Sequence, residues 1–213
     1  MKPTVTVIDL GIGNLGNVRR ALVAAGAEAR VTADMAEVAL ARRLVLPGVG
    51  AFRPPRERLR GALEAALRQA LDRGATLLGV CVGYQLLFER GEEFGTCDGL
   101  GLLSGRVVRL PESVPLPHIG WNRLARERAH PLLEGIEDGA FVYFVHSFAP
   151  EGAAPAATLA TALHGRRFAA MSAAGRIAGT QFHPEKSGEA GMRLLANFVA
   201  WNGESGREAS GWN

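Results

Sequence analysis

The sequence predicts an α/β fold, a central mostly parallel sheet flanked by helices with antiparallel additions in the C-terminal half. The N-terminal half alternates short β-rich apolar runs with helical segments, which is the pattern of strand-helix-strand units whose sheet is covered on both faces. The C-terminal half instead strings strand-like segments through turn-rich sequence and places one helical segment at its end. At 213 residues, with 47% hydrophobic and 21% charged residues, the chain can bury a core of its own.

Thr4-Val5-Thr6-Val7-Ile8 is β-branched and alternates little, so it reads as a buried first strand. Residues 9–16 follow as a glycine-bearing loop, 17–25 as a helix, and Arg30-Val31 as part of a second strand. Arg43-Leu44-Val45-Leu46 is a third strand, ended by Pro47-Gly48-Val49-Gly50. From Glu57 to Arg73 the residues Leu59, Ala62, Leu63, Ala66, Leu67, Ala70 and Leu71 share one helical face and predict a single helix on the sheet. Thr76-Leu77-Leu78 is a fourth strand, and Tyr84 to Phe88 reads as the start of a helix. Strands are expected over 105–109, 141–145, 167–171 and 177–182, with a last helix from about 188 to 201. Residues 1–202 form the expected domain, and 203–213, rich in Gly, Ser and Glu, a fraying tail.

Composition removes several classes of function. The net charge of +3 is too small to argue for nucleic acid, and no apolar run approaches the roughly 18 residues of a membrane span. Met1-Lys2-Pro3 runs straight into a strand without a signal pattern, so a cytoplasmic protein is expected. Two cysteines, Cys81 and Cys97, are too few for a disulfide framework or a four-ligand zinc site, and no metal or cofactor is expected. Cys97, His130 and His164 read as loop or surface residues, and Arg53, Arg56, Arg58 and Arg60 as a solvated basic face. Gly11-x-Gly13-x-x-Gly16 matches a dinucleotide fingerprint in spacing, but no acidic residue follows a second strand in the way that fingerprint needs.

Two segments carry chemistry. Gly79-Val80-Cys81-Val82-Gly83 sits between a strand and a helical start, and a nucleophile on such a tight turn needs small residues two before and two after it. Backbone N–H groups of the following turn favour an ionised sulfur and offer a donor to a developing oxyanion. In Gln181-Phe182-His183-Pro184-Glu185, positions two apart on an extended chain project to the same side, so His183 and Glu185 are expected to pair. A carboxylate beside an imidazole fixes its tautomer and steadies the imidazolium formed when the base takes the thiol proton. Glycine backbone at Gly48 and Gly50 falls at a strand end of the same sheet, where ligands collect.

With these residues the chain resembles the class I (triad) glutamine amidotransferases, with their flavodoxin-like sheet. Pro47-Gly48-Val49-Gly50-Ala51-Phe52, Pro117-His118-Ile119-Gly120-Trp121-Asn122, Tyr143 to Phe148 and His183-Pro184-Glu185-Lys186-Ser187 are similar to the glutaminase subunits of imidazole glycerol phosphate synthases. The resemblance runs from Val7 to about Trp201. It implies that L-glutamine is hydrolysed to glutamate and ammonia and that ammonia passes to a (β/α)8 cyclase subunit of histidine biosynthesis. Cys81 is then the nucleophile, His183 the base, and Glu185 its orienter. By the same match Gly50 and Val82 give the oxyanion donors, Gln85, His146 and Ser147 border the glutamine, and His118, Trp121 and Asn122 lie towards the partner. Tyr84 and Leu10 depart from the family, which usually has Met and Tyr there. The same triad would also serve a glutaminase for anthranilate, guanylate or pyridoxal phosphate synthesis, or a cysteine hydrolase acting alone. A binding module with Cys81 as mere packing is the non-catalytic alternative.

Overall fold

The computed structural model describes residues 2–204. In the N-terminal half the elements are β1 (Thr4–Ile8), α1 (Leu15–Ala24), β2 (Glu28–Thr32), α2 (Met35–Leu40), β3 (Arg43–Gly48), α3 (Arg53–Leu59), α4 (Ala62–Asp72), β4 (Thr76–Cys81) and α5 (Val82–Gln85). Short strands follow: β5 (Phe88–Gly91), β6 (Cys97–Asp98), β7 (Leu103–Arg109), β8 (His118–Arg123), β9 (Ala125–Arg126), β10 (Phe141–His146) and β11 (Phe148–Glu151). The chain closes with β12 (Thr158–His164), β13 (Arg166–Ala174), β14 (Ile177–Thr180) and α6 (Gly188–Ala200), and 3₁₀ turns span Pro131–Leu133 and Pro184–Lys186.

The main sheet has the order β2-β1-β3-β4-β14-β13-β12-β9. Pairing is parallel from β2 to β14 and antiparallel beyond it, as the change of character along the sequence predicts. Val5, Val7, Leu44, Val45, Leu46, Leu77 and Leu78 are inaccessible because helices cover the sheet on both sides. Helix α1 lies beside α6, and α2 beside α4. Asn14 starts α1 by accepting the Asn17 N–H, and Asp34 starts α2 by accepting from Ala36 and Glu37.

Several elements differ from expectation, each for a local reason. The single helix expected over 57–73 is two helices, α3 and α4, because Gly61 has φ +81° and Arg60 is extended between them. Helix α2 lacks a long apolar stripe, and the sequence does not predict it. The helix expected from Tyr84 stops after one turn, since the carbonyls of Leu86, Leu87 and Phe88 accept hydrogen bonds from Leu100 to Leu103 rather than from their own helix. Not all later strands extend the main sheet. Strands β8 and β10 form an antiparallel pair, and β11-β7-β5-β6 form a third sheet.

Four side-chain expectations also change. Cys97 is buried in β6, and His130 is buried, accepting the Leu132 N–H through Nδ1. His164 is half-buried, stacked on His118 at 4.0 Å between ring centroids. Of the arginines read as a solvated face, Arg56 is buried, pairing with Glu64 at 2.6 Å and donating to the Asp98 carbonyl. The tail expected over 203–213 lies outside the described residues from 205 onward.

Candidate active site

Strands β3, β4 and β14 are neighbours and end at one edge of the sheet, with Gly48 beside Cys81 and Thr180 beside Val80. The chain leaves β4 through Cys81 and leaves β14 through Gln181-Phe182-His183. Two side chains about a hundred residues apart in sequence are thus delivered to one carboxyl-end crevice, where α/β sheets bind ligands.

Cys81 has φ +54° and ψ −111°, a conformation that costs a non-glycine residue roughly 1–3 kcal/mol. Its neighbours make that turn possible. A Cβ on Gly83 would lie 1.8 Å from the Leu46 carbonyl oxygen, and one on Gly79 2.7 Å from Tyr84 Cα. On the adjacent strand, a Cβ on Gly48 would lie 2.7 Å from Gly83 N. Gly79 and Gly83 therefore give Cys81 the small flanking residues that the sequence predicts, and Gly48 is a third close approach. The helix after Cys81 is only four residues long, too short to supply the dipole of a long helix.

His183 and Glu185 pair as expected, Nδ1 to Oε1 at 2.8 Å with both side chains 4% exposed, but by a different route. Strand β14 ends at Thr180, and the 3₁₀ turn Pro184–Lys186 swings the carboxylate onto the ring. Ser187 locks this turn, donating from Oγ to the His183 carbonyl and accepting the Tyr143 N–H. The His183 N–H donates to the Tyr143 carbonyl at 2.9 Å. Burial works against an imidazolium here, yet the hydrogen bonds and charges of Cys81 and Glu185 outweigh it and push the His183 pKa up to about 10. Nε2 is buried with no hydrogen-bond partner of good geometry among the described residues, and Cys81 lies close enough to raise its pKa. The pair is built to keep a proton on the imidazole beside the thiol.

A cavity of about 270 Å³ opens above the sulfur, lined by Gly50, Cys81, Val82, Gln85, Ser147 and His183 among others. That lies near the lower end of small-molecule sites. Gly50 has φ +79° and nothing within 4 Å of a Cβ position, so its backbone borders open space. Gln85 is buried, donating from Nε2 to the Phe148 carbonyl at 2.9 Å and to Gln181 Oε1 at 3.1 Å. Gln181 Nε2 in turn reaches the Cys81 sulfur at 3.9 Å. His146 lines the cavity with both ring nitrogens engaged, Nδ1 with the Phe148 carbonyl at 2.8 Å and Nε2 with His118 Nδ1 at 3.1 Å.

The pleat of β8 divides the residues expected to face a partner. Trp121 is 55% exposed and shares an outward face with Ile119, while His118 is 5% exposed and lies underneath. Asn122 is half-buried on that inner face, donating to the Leu163 carbonyl and to His118 Nε2. His118, expected to lie towards the partner, is thus an inner residue, and so in part is Asn122. Burial, then the neighbouring His164, lowers the His118 pKa to about 4, and burial with nearby histidines lowers that of His146 to about 3. Tyr84 turns away from the cavity, its hydroxyl 2.7 Å from Ser172 Oγ, in space that a Cβ on Gly179 would fill.

Sequence reasoning missed Glu93. It is the only carboxylate lining the cavity among the described residues, and it accepts the Phe52 N–H at 2.9 Å, fixing the end of the Gly50 loop. It lies between β5 and β6, two strands with no clear signal, whereas Gln181 stood inside the recognised motif without an assigned role. A larger, more open groove of about 890 Å³ between α1 and α6 holds no cysteine, histidine, serine or threonine. No group of residues suited to a metal ion occurs among the described residues, and none of the helices there is long and apolar enough to cross a membrane.

Residues 6–201 match the glutamine amidotransferase class-I family. The chain is 49% identical over 195 residues to imidazole glycerol phosphate synthase subunit HisH of Symbiobacterium thermophilum, covering 91% of this chain and 92% of the relative. It is 44% identical to the protein of the same name from Salinibacter ruber, covering 96% and 99%. Among solved structures, PurLQS from Thermotoga maritima superposes with a TM-score of 0.73 at 20% identity, covering 94% of this chain and 99% of that one. A putative GMP synthase component from Thermoplasma acidophilum gives 0.67 at 19%, covering 94% of each chain. At these identities the two structures speak for the fold.

Proposed function

This chain belongs to the class I glutamine amidotransferases and, within them, to the HisH subunits of imidazole glycerol phosphate synthase; from that premise we propose that Cys81, His183 and Glu185 carry its glutaminase reaction. The protein hydrolyses L-glutamine to glutamate and ammonia and supplies the ammonia to the cyclase subunit in histidine biosynthesis. The observation that carries the assignment of residues is the imidazole of His183, clamped by Glu185 at 2.8 Å through Nδ1, with a buried Nε2 that makes no hydrogen bond among the described residues and Cys81 close enough to raise its pKa.

In this reading His183 holds the thiol proton before substrate arrives. The sulfur attacks the side-chain amide carbon of glutamine, and the carbonyl π electrons move onto oxygen, where the N–H groups of Val82 and Gly50 receive the charge. His183 Nε2–H protonates the leaving nitrogen as the carbon–nitrogen bond breaks, releasing ammonia and a γ-glutamyl thioester. The now neutral His183 takes a proton from water, the hydroxide adds to the thioester, and the carbon–sulfur bond breaks to release glutamate. Gln85 and Ser147 border the substrate, and His146 walls the cavity without a free ring nitrogen. Glu93 offers a negative charge to the α-ammonium end.

Ile119 and Trp121, with Phe141 across the β8–β10 pair, present an exposed apolar face that suits docking of the cyclase subunit. A cytoplasmic setting, where thiols stay reduced, fits a catalytic cysteine. Cys81→Ala is the direct test in the complex with the cyclase subunit. Synthesis from glutamine should disappear while synthesis from added ammonium salts persists; glutamine-dependent synthesis in that variant refutes the assignment.

A further inference from the structure

The hydrogen bonds around the cavity join into one chain that runs from β8 to the nucleophile, and its donors can be assigned without ambiguity. Because the Phe148 carbonyl only accepts, His146 Nδ1 must carry the hydrogen, which makes His146 Nε2 an acceptor. The nitrogen facing it, His118 Nδ1, must then be a donor, so His118 Nε2 accepts, and it does so from Asn122 Nδ2. The second hydrogen of that amide goes to the Leu163 carbonyl. From the other side the Phe148 carbonyl also accepts Gln85 Nε2–H, whose remaining hydrogen goes to Gln181 Oε1. That fixes the Gln181 amide with its nitrogen turned to the sulfur, as observed. Every member has one permitted orientation.

We infer that His118 is a positioning residue for the glutaminase reaction, steadying through His146 the Phe148 carbonyl that orients Gln85 and, beyond it, the Gln181 amide on the Cys81 sulfur. The inference rests on the reading of Cys81 as nucleophile and adds two groups, His118 and Gln181, to which neither the sequence nor the family resemblance assigns this role. Geometry supports it apart from the hydrogen bonds. His118 is stacked between Phe144, at 4.8 Å, and His164, so the ring cannot tilt away, and Gln181 is wholly buried, leaving its amide no solvent alternative. A Gln181 amide turned the other way would set its oxygen against the sulfur and its nitrogen against the Gln85 amide nitrogen. An N–H facing the sulfur favours the ionised form, and an oxygen there would oppose it.

The experiment uses the protein in its complex with the cyclase and reads glutaminase turnover together with the rate at which iodoacetamide labels Cys81. His118→Phe keeps a flat ring for the stack and deletes both nitrogens, whereas His118→Gln restores a donor and an acceptor. Loss of the neutral hydrogen bond that steadies His146, about 1 kcal/mol, predicts a roughly fivefold fall in kcat and in labelling rate for His118→Phe, with KM changed less, and recovery of most of it in His118→Gln. In a Gln181→Leu background, itself slow, His118→Phe should cost less than about twofold more, because both act through one amide. Equal costs of His118→Phe in the two backgrounds, or a fall in turnover with labelling unchanged, overturn the inference. If His118→Phe melts lower in the complex, the two-background comparison decides, since a loss of packing alone would cost the same with and without the Gln181 amide. Failure of the underlying reading looks different: labelling would then miss Cys81 in the parent protein.

Discussion

Replacing Glu185 by glutamine removes one charge from the site and little else, because the amide oxygen can still accept the His183 Nδ1–H at the 2.8 Å now observed. The two side chains are 4% exposed, so solvent screens their interaction weakly. At an effective dielectric constant near 20, unit charges about 4 Å apart interact by roughly 4 kcal/mol, and an opposite charge at such range moves a pKa by about 1–3 units. His183 titrates near 10 against the penalty of burial, held up by Cys81 and Glu185. Without the carboxylate the alkaline limb of kcat/KM should therefore move down by about 1–3 units. The sign follows from the role: the imidazolium is the acid that protonates the leaving nitrogen, so activity is lost as pH rises through its pKa. Ammonia release should be followed in the complex across the alkaline range for both proteins. Superimposable alkaline limbs would refute the argument that Glu185 acts through its charge on His183.

The glycines of the turn separate packing from backbone strain. Gly83→Ala drives a methyl into the Leu46 carbonyl and should destabilise the chain by at least ~3 kcal/mol, while Gly50→Ala, strained in φ but in open space, should cost about 1 kcal/mol; thermal melting of both checks the contrast, and equal losses would contradict it. The buried histidines predict acid sensitivity. Burial, first among the causes, holds His118 and His130 at about 4 and His146 at about 3, below the ordinary 6.5, so they stay neutral in the fold where the unfolded chain binds protons. Stability should therefore fall from about pH 6.5 towards pH 4, seen as a lower urea midpoint in acid, and equal midpoints would contradict these environments; above about pH 6.5 the raised His183 pKa makes stability fall again as pH rises towards 10.

Much of the fold was legible because buried parallel strands are short apolar runs and amphipathic helices repeat every 3.6 residues. Thr4–Ile8, Arg43–Leu46 and Gly188–Ala200 are of that kind. What could not be read depends on partners distant in sequence. The end of the helix after Cys81 is set by Leu100 to Leu103, and β8 became visible only once β10 lay against it. In the candidate site, Cys81 and the His183–Glu185 pair were legible because their neighbours are dictated locally, by small residues and a turn. The inward course of His118 was not, since the resemblance gives a segment and not the pleat that turns alternate residues to opposite faces. Arg56 illustrates the same limit: its spacing put it on a helix, but its burial comes from Glu64 and the Asp98 carbonyl.

A covalent intermediate on the sulfur is the sharpest consequence of the whole account. Acid-quenching the complex during glutamine turnover, digesting it and mapping the peptides by mass spectrometry should locate a γ-glutamyl adduct on Cys81, absent from Cys81→Ser and from samples lacking glutamine. Continued release of ammonia by Cys81→Ser at the parent rate, or an adduct on Cys97 in its place, would contradict it.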